Sequence, residues 1–199
     1  ARREPRPPVV SLDTTTKPQS PNPTPQLALR ILAPAAPVAF HDHILGDQTI
    51  DVDAEVGDFV VATKAGLPAY QLAVVVDDAR QGVTDVVRGD DLVRSTGRQV
   101  YLYDVLNLGP PPRYWHLPLV LGPDGRRLAK RHGDTRIAYY REVGVAPQRM
   151  LGLMARWCGL CDEAAPMDAR EFLERFDIDA LPRSPITFGP EDDAWLLDR

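Results

Sequence analysis

The sequence predicts an α/β fold in which parallel strands precede a small cluster of helices. Residues 72–76 form a run of small and β-branched side chains, which is typical of a strand buried on both faces. A second short apolar run at residues 83–87 predicts another strand of the same sheet. Beyond residue 136 the apolar side chains recur at helical spacing, which predicts helices.

The first 26 residues are expected to form a flexible, partly extended leader. Proline and polar residues dominate them, and so little apolar surface is available to offset the entropy lost on ordering. Apolar patterning begins at Leu27. It predicts strands at residues 29–32 and 58–63, with a turn and a short extended piece at residues 40–46. Gly66, Leu67 and Pro68 then form a tight connection into the strand at residues 72–76.

The second half of the chain is predicted to be mainly helical. Residues 89–91 mark a helix start, and Ser95 or Thr96 is expected to cap a helix at residues 97–108. The remaining predicted elements are a short buried strand at 117–121, a turn at 123–125, a loop at 127–133, and helices at 137–143, 147–157, 169–176 and 190–197. The last three helices are expected to form a small cluster packed beside the sheet.

Charge and hydropathy narrow the function classes. The 199 residues carry a formal net charge of −5, so no global basic field attracts nucleic acid. A contact with RNA then depends on a local patch, and Arg126, Arg127, Lys130 and Arg131 supply one. The sequence contains no apolar run that could span a bilayer and no apolar signal core, so we expect no membrane partner and a cytoplasmic protein.

The two cysteines, Cys158 and Cys161, have the spacing of a metal or redox pair. A tetrahedral zinc site needs four ligands, and His116 and His132 belong to other predicted elements. The pair follows an amphipathic helical pattern, so Cys158 is expected to be a buried residue at a helix end, with Gly159 ending the helix. We therefore predict no zinc site in this chain.

Polar residues at the ends of the two central strands suggest a small-molecule site. Asp77 and Asp78 follow the first predicted strand directly, and Arg88 follows the second. Ligands of open α/β sheets bind beyond the carboxyl ends of the strands, and Tyr70 is expected nearby. A capped helix start at Asp77 and a surface Arg88 would explain the same residues without a ligand.

The same segment carries a family resemblance. Ala-Val-Val-Val-Asp-Asp at residues 73–78, followed by Gln-Gly-Val-Thr-Asp-Val-Val-Arg-Gly at residues 81–89, resembles the second half of the catalytic domain of class I glutamyl-tRNA synthetases. Within that family, Gln-Gly-Val-Thr is most similar to the glutamyl-Q tRNA(Asp) synthetases. The similarity continues through residues 91–99, 116–122 and 127–133, and more weakly from about residue 27 to the C-terminus.

The resemblance implies a fold and a division of the chain. Residues 27–145 would be the second half of the class I catalytic domain, with part of its Rossmann-type parallel sheet. Residues 146–199 would be a C-terminal helical segment. The family's cysteine-rich zinc insertion lies upstream of the matching region and is not in this sequence.

The resemblance also implies a nucleotide-binding loop. Lys130 occupies the fourth position of what resembles the family's KMSKS loop, where a mobile ammonium can follow the charge that develops on the leaving pyrophosphate. It would be the catalytic residue, and the residues expected to bind ATP are Leu128, Ala129, Lys130 and Arg131. Arg127 replaces the family's first Lys and Ala129 its usual Ser, and a solvated basic loop is the alternative interpretation.

The amino-acid site follows from the same alignment of motifs. Arg88 and Tyr70 match the positions that bind glutamate in the family, and a guanidinium pairs bidentately with a carboxylate. Asp77, Asp78, Asp90 and Asp91 are explained by helix capping and support of Arg88 at least as well as by Mg²⁺ binding, and no protein metal ligand is assigned. Five further residues would contact the acceptor end of a tRNA or hold loops in place: Gln81, Thr84, Ser95, Arg98 and Gln99. For Trp115, Trp157 and Trp195 we expect packing rather than base stacking.

The implied function is ATP-dependent activation of L-glutamate and its transfer to tRNA, with queuosine in tRNA(Asp) as the expected acceptor. Mg²⁺ would arrive with the nucleotide. The family's His-Ile-Gly-His signature has no match, since His41-Asp42-His43 differs from it. We therefore expect this chain to be the C-terminal half of a catalytic domain and to be inactive alone. A separate chain that carries the N-terminal half is a further candidate partner. The alternative is a non-catalytic RNA-binding or assembly module.

Overall fold

The computed structural model describes residues 27–128 and 135–198. The predicted leader at residues 1–26 and most of the predicted nucleotide-binding loop lie outside these ranges. The described chain forms two compact units. The first contains the residues up to Val87 together with residues 92–115, and the second contains residues 88–91 together with the chain from His116 onward.

Strands and helices alternate along most of the first part of the described chain, and helices dominate the second part. The first part comprises β1 (Leu29–Ile31), β2 (Val38–Asp42), β3 (Gly46–Ile50), α1 (Val52–Glu55), β4 (Phe59–Ala62), α2 (Tyr70–Gln81), β5 (Asp85–Gly89), α3 (Val93–Val105) and β6 (Arg113–Leu117). The second part comprises β7 (Val120–Leu121), α4 (Ile137–Glu142), α5 (Pro147–Trp157), α6 (Ala169–Arg175), β8 (Ile186–Thr187) and α7 (Pro190–Leu197).

The largest sheet has four strands in the order β3-β2-β6-β5. Strands β2 and β6 run parallel, whereas β2 and β3 form an antiparallel hairpin. Two smaller sheets pair β1 with β4 antiparallel and β7 with β8 parallel. The predicted α/β class is therefore confirmed, and the hairpin makes the main sheet mixed.

The hairpin follows from local turn chemistry. Alternate residues of β2 and β3 point inward, as expected for a sheet with one covered face. At the turn, the buried carboxylate of Asp42 accepts hydrogen bonds from the backbone N–H groups of Ile44 and Leu45, at 3.0 and 2.8 Å. Gly46 follows with a positive φ of 78°, a conformation that costs glycine little. These contacts set the register that places His41 opposite Asp47.

The segment predicted as a strand at residues 72–76 is a helix, and that prediction was wrong. In α2 the side chains of Gln71, Val75 and Ala79 recur every fourth residue, so they lie along one face. Val75 is fully buried in the core of the first unit, and the amide of Gln99 in α3 donates to Gln71. Packing against α3 therefore overrides the β-propensity of the three consecutive valines.

The core of the first unit forms between α2, α3 and the strands that they cover. Its buried apolar members are Ile50, Val52, Phe59, Val75, Leu102 and Tyr103. Helix α3 begins four residues earlier than predicted, because a short 3₁₀ turn at Asp90–Leu92 leads directly into it. Ser95 and Thr96 are consequently buried inside α3 and do not cap it, which corrects the predicted N-cap.

The predicted strand at residues 117–121 is divided in two. Strand β6 ends at Leu117 and β7 covers only Val120–Leu121. Pro118 lies between them and has no N–H to donate to a neighbouring strand, so the ladder breaks there. Strand β8, which the sequence did not predict, pairs with β7 through Ile186 opposite Val120.

The four C-terminal helices are confirmed to within one residue of their predicted ends. In the second unit α5 packs against α6 and α7, around a core that contains Tyr140, Leu153 and Leu196. The buried carboxylate of Asp192 accepts from Arg156 of α5 and from the backbone of Gly189, and so it joins α7 to α5. The predicted boundary after residue 145 stays a prediction. Among the described helices, none has the length and apolar character needed to cross a bilayer.

Candidate functional site

Arg88 lies near the end of β5, where its guanidinium contacts a buried histidine of β6. The Nε–H group of Arg88 donates to Nε2 of His116 at 3.0 Å. The side chain of Arg88 is half-buried and that of His116 is fully buried. Because an arginine can only donate, Nε2 of His116 must be unprotonated, and the ring proton then resides on Nδ1.

The backbone beside Arg88 is closely packed. A Cβ atom added to Gly89 would lie 2.7 Å from a carboxylate oxygen of Asp91 and 2.9 Å from a methyl group of Leu119. Real Cβ atoms essentially never lie this close to a neighbour, so a larger residue at position 89 would require the side-chain ends of Asp91 and Leu119 to shift.

An ion pair connects this strand end to the segment that precedes the predicted nucleotide-binding loop. Nη1 of Arg127 lies 3.0 Å from Oδ2 of Asp91. The side chain of Arg127 is 73% exposed and that of Asp91 34% exposed, so the pair contributes little to stability. The backbone of Leu128 is also anchored, because its N–H donates to the carbonyl of Val120.

Of the predicted ATP-binding residues, only Leu128 lies within the described part of the chain. Leu128 is half-buried and packs against the core of the second unit. Ala129, Lys130 and Arg131 lie outside the described residues, so the catalytic assignment of Lys130 stays a prediction.

Tyr70 is the first residue of α2, in the first unit, and its side chain is 61% exposed. Its assignment to glutamate also stays a prediction. Asp77 and Asp78 belong to the second half of α2, so the expected acidic pair at a strand end is wrong. Asp90 and Asp91 form the 3₁₀ turn before α3, where Asp91 holds Arg127.

Several residues considered for tRNA contact make internal hydrogen bonds. Thr84 donates to Asp85, and Arg98 donates to the hydroxyl of Ser95. Gln99 donates to Gln71. These bonds favour the interpretation that the four residues hold local structure rather than contact tRNA. Gln81 is exposed at the end of α2.

A cluster around Asp85 was missed at the sequence level. Its carboxylate accepts from Arg113 at 2.7 Å and from the indole of Trp115 at 3.0 Å. The hydrogen bond from Arg113, followed by those from Trp115 and Thr84, lowers the pKa of Asp85 to about 2. The ring of His43 stacks on Trp115 with a centroid distance of 4.2 Å. No local pattern could reveal this cluster, because Asp85 lies 28 residues from Arg113 and 30 residues from Trp115 in sequence.

Within residues 27–128 and 135–198, no three or more His, Cys, Asp or Glu side chains are arranged so that they could hold a metal ion. Cys158 follows the last residue of α5, and Gly159 has the left-handed backbone of a helix stop. Burial raises the pKa of the Cys158 thiol. The absence of a zinc site stays a prediction.

Comparison with known proteins identifies one family. Residues 12–192 match the family described as tRNA synthetases class I (E and Q), catalytic domain. A glutamyl-Q tRNA(Asp) synthetase from Symbiobacterium thermophilum is 46% identical over 169 residues, which cover 85% of this chain and 52% of that protein. A glutamate–tRNA ligase from Oleidesulfovibrio alaskensis is 39% identical over 169 residues, which cover 84% of this chain and 36% of that protein.

A solved structure gives the same result. The crystal structure of glutamate-tRNA synthetase from Elizabethkingia anophelis superposes with a TM-score of 0.71 at 25% sequence identity. The superposition covers 85% of this chain and 38% of that one. The chain thus spans about half the length of the glutamyl-Q relative and a smaller share of the glutamate–tRNA ligase.

Proposed function

This chain belongs to the family of class I tRNA synthetase catalytic domains for E and Q, and we propose that it takes part in ATP-dependent activation of L-glutamate and transfer of the glutamyl group to a tRNA. The observation that carries this proposal is the environment of Arg88. A half-buried guanidinium is oriented by a neutral acceptor near the end of strand β5. Such an arrangement suits recognition of a carboxylate.

Arg88 and Tyr70 are proposed to bind the amino acid. The planar fork of a guanidinium can make two parallel hydrogen bonds to one carboxylate, and a phenol hydroxyl adds an orienting hydrogen bond. A site built around such a pair rejects an uncharged analogue strongly, because the buried charge would then lose its partner. We therefore expect glutamate to be preferred over glutamine.

Lys130 is proposed to act on ATP, within the loop formed by Leu128, Ala129, Lys130 and Arg131. Its ammonium would neutralise charge on the departing pyrophosphate, so its contact would strengthen in the transition state. The backbone hydrogen bond from the N–H of Leu128 to the carbonyl of Val120 supports this proposal, because it holds the residue from which the loop departs. Mg²⁺ would neutralise phosphate charge when it is bound with the nucleotide, and no residue of this chain is assigned as its ligand.

The proposed acceptor is queuosine in tRNA(Asp). Support comes from the similarity to the glutamyl-Q tRNA(Asp) synthetase of Symbiobacterium thermophilum, and from Gln81-Gly82-Val83-Thr84, which joins α2 to β5. These 199 residues are further proposed to supply only part of the active site, because the His-Ile-Gly-His segment has no counterpart among them.

The test has two stages. Glutamate-dependent exchange of pyrophosphate into ATP is measured first, in a protein that carries these residues together with a His-Ile-Gly-His segment, with aspartate and glutamine as competing substrates. Transfer is then measured to three acceptors: tRNA(Asp) with queuosine, tRNA(Asp) without it, and tRNA(Glu). We expect activation of glutamate and transfer to the queuosine-containing tRNA(Asp) alone. Charging of tRNA(Glu) would overturn the acceptor assignment, and RNA binding without activation in a protein that also carries the His-Ile-Gly-His segment would favour a non-catalytic module.

A further inference from the structure

His116 is a polar residue at a fully buried position, which has an energetic cost unless the side chain is hydrogen-bonded. It lies on β6, next to β5 in the sheet, and is 28 residues from Arg88 in sequence. Its Nε2 atom accepts the hydrogen bond from Nε of Arg88 at 3.0 Å, a normal length for such a bond. This hydrogen bond satisfies Nε2 of the buried histidine and, at the same time, gives the guanidinium of Arg88 a fixed acceptor.

The chemistry of the acceptor matters as much as its position. A carboxylate at this place would orient Arg88 equally well, but it would add a negative charge that competes with an incoming anion. Unprotonated imidazole accepts the hydrogen bond without carrying a charge. The bond is made to Nε, so it sets the direction of the terminal Nη1–Nη2 edge, which is the edge suited to bidentate pairing.

We propose that His116 is a positioning residue for carboxylate recognition, which holds Arg88 in the orientation that binds the substrate side chain. This inference rests on the proposed role of Arg88 in binding glutamate. His116 acts through Arg88 and does not itself contact the substrate.

Two amide substitutions separate this role from simple packing. The carbonyl oxygen of glutamine reaches about as far along the side chain as Nε2 of histidine, whereas that of asparagine reaches only as far as Nδ1. We expect His116→Gln to retain most of the glutamate affinity. His116→Asn should weaken glutamate binding about 10- to 100-fold, the range for loss of a hydrogen bond to a charged group. Binding of ATP should change less than twofold in both variants.

Calorimetric titration with glutamate and with ATP provides the measurement, on a protein that carries these residues together with a His-Ile-Gly-His segment, and thermal unfolding checks that each variant folds. His43→Asn is the matched control, because His43 is exposed and belongs to the first unit. It should leave both affinities unchanged. Equal losses in His116→Gln and His116→Asn, or an equal weakening of ATP and glutamate, would overturn the positioning role.

Arg88→Lys distinguishes failure of the inference from failure of the proposed function. If Arg88→Lys weakens glutamate binding and His116→Asn does not, only the role of His116 is wrong. If Arg88→Lys has no effect, the assignment of Arg88 to glutamate is wrong and the role of His116 is wrong with it.

A spectroscopic measurement on the unsubstituted protein remains decisive if the His116 variants do not fold. ¹⁵N NMR of histidine-labelled protein reports which ring nitrogen carries the proton. We expect an unprotonated Nε2 at neutral pH, with a signal that shifts in Arg88→Lys. A proton on Nε2 of His116 at neutral pH would contradict the hydrogen bond and overturn the proposal.

Discussion

At the scale of single residues, Asp85 shows how one carboxylate can organise a sheet surface. It accepts hydrogen bonds from Arg113, Trp115 and Thr84, which lower its pKa to about 2 in the folded protein. The usual value is near 3.8. The folded state therefore binds the proton less readily than the unfolded chain, and the stabilisation is fully present above the unfolded pKa.

We expect this stabilisation to disappear as the pH falls from about 4 to about 2. Urea unfolding measures the free energy of unfolding of the unsubstituted protein and of Asp85→Asn. The difference between the two should be larger at neutral pH than at acidic pH. The difference should narrow through the acidic range. Asp77→Asn, at an exposed position of α2, is the control and should show a smaller difference. A difference for Asp85→Asn that stays constant with pH would contradict the lowered pKa.

Lys130 gives a second prediction at this scale. If its ammonium follows charge onto the leaving pyrophosphate, Lys130→Ala should slow activation while glutamate affinity stays nearly unchanged. Single-turnover formation of the adenylate, measured alongside glutamate binding, separates the two effects. Arg126→Ala, in the turn that precedes the loop, is a charge-matched control. Unchanged activation in Lys130→Ala would remove the loop assignment.

At the scale of elements, helix α2 ends at a glycine for a specific reason. Gly82 has a φ of 68°, and the N–H of Val83 donates to the carbonyl of Asp78. The N–H of Gly82 donates to Ala79, which completes a Schellman motif. A Cβ at Gly82 would meet no atom within 4 Å, so only the backbone conformation opposes a larger residue.

Gly82→Ala should therefore destabilise the protein by about 1–2 kcal/mol, the cost of placing an L-residue in the left-handed region. Gly82→Asn should cost less, because asparagine tolerates this conformation better. Chemical denaturation measures both. Equal stability of Gly82→Ala and the unsubstituted protein would show that residue 82 does not adopt the left-handed helix stop.

The C-terminal helices could be predicted because their local signals agree. In α5 the apolar residues Met150, Leu153 and Trp157 recur at helical spacing after Pro147, which suits the first turn of a helix. In α2 the five residues from Leu72 to Val76 have no such spacing, and the short run fits a buried strand or a buried helix equally well. Only packing against α3 decides between them, including the hydrogen bond that joins Gln71 to Gln99, 28 residues later in the sequence.

The candidate site was predictable to a similar extent. Arg88 could be found from its motif at the end of β5. Its partner His116 could not be found in this way. Strand order in a sheet depends on contacts that are distant in sequence, and the whole of α3 separates β5 from β6 along the chain although the two strands are neighbours in the sheet. A histidine within a buried strand was the one local signal.

At the scale of the whole molecule, the chain passes between its two units within strands β5 and β6, and once more after Asp91. Arg88 and His116 are the first residues of the second unit on these two strands. The proposed positioning pair thus belongs to one compact unit, together with the residues that lead into the proposed nucleotide-binding loop.

A protein made of these 199 residues alone should not activate glutamate. Activation of this kind needs one set of groups that holds ATP and a second that neutralises the leaving pyrophosphate. In the proposed site, the loop around Lys130 supplies only the second set. Positioning of reacting groups lowers barriers by about 7–11 kcal/mol, so a site lacking half of them should turn over near the background rate. A longer protein with the same residues and a His-Ile-Gly-His segment is the control, and it should show glutamate-dependent pyrophosphate exchange that Arg88→Ala reduces. Exchange at a comparable rate by the 199 residues alone would mean that they hold ATP by groups other than those proposed.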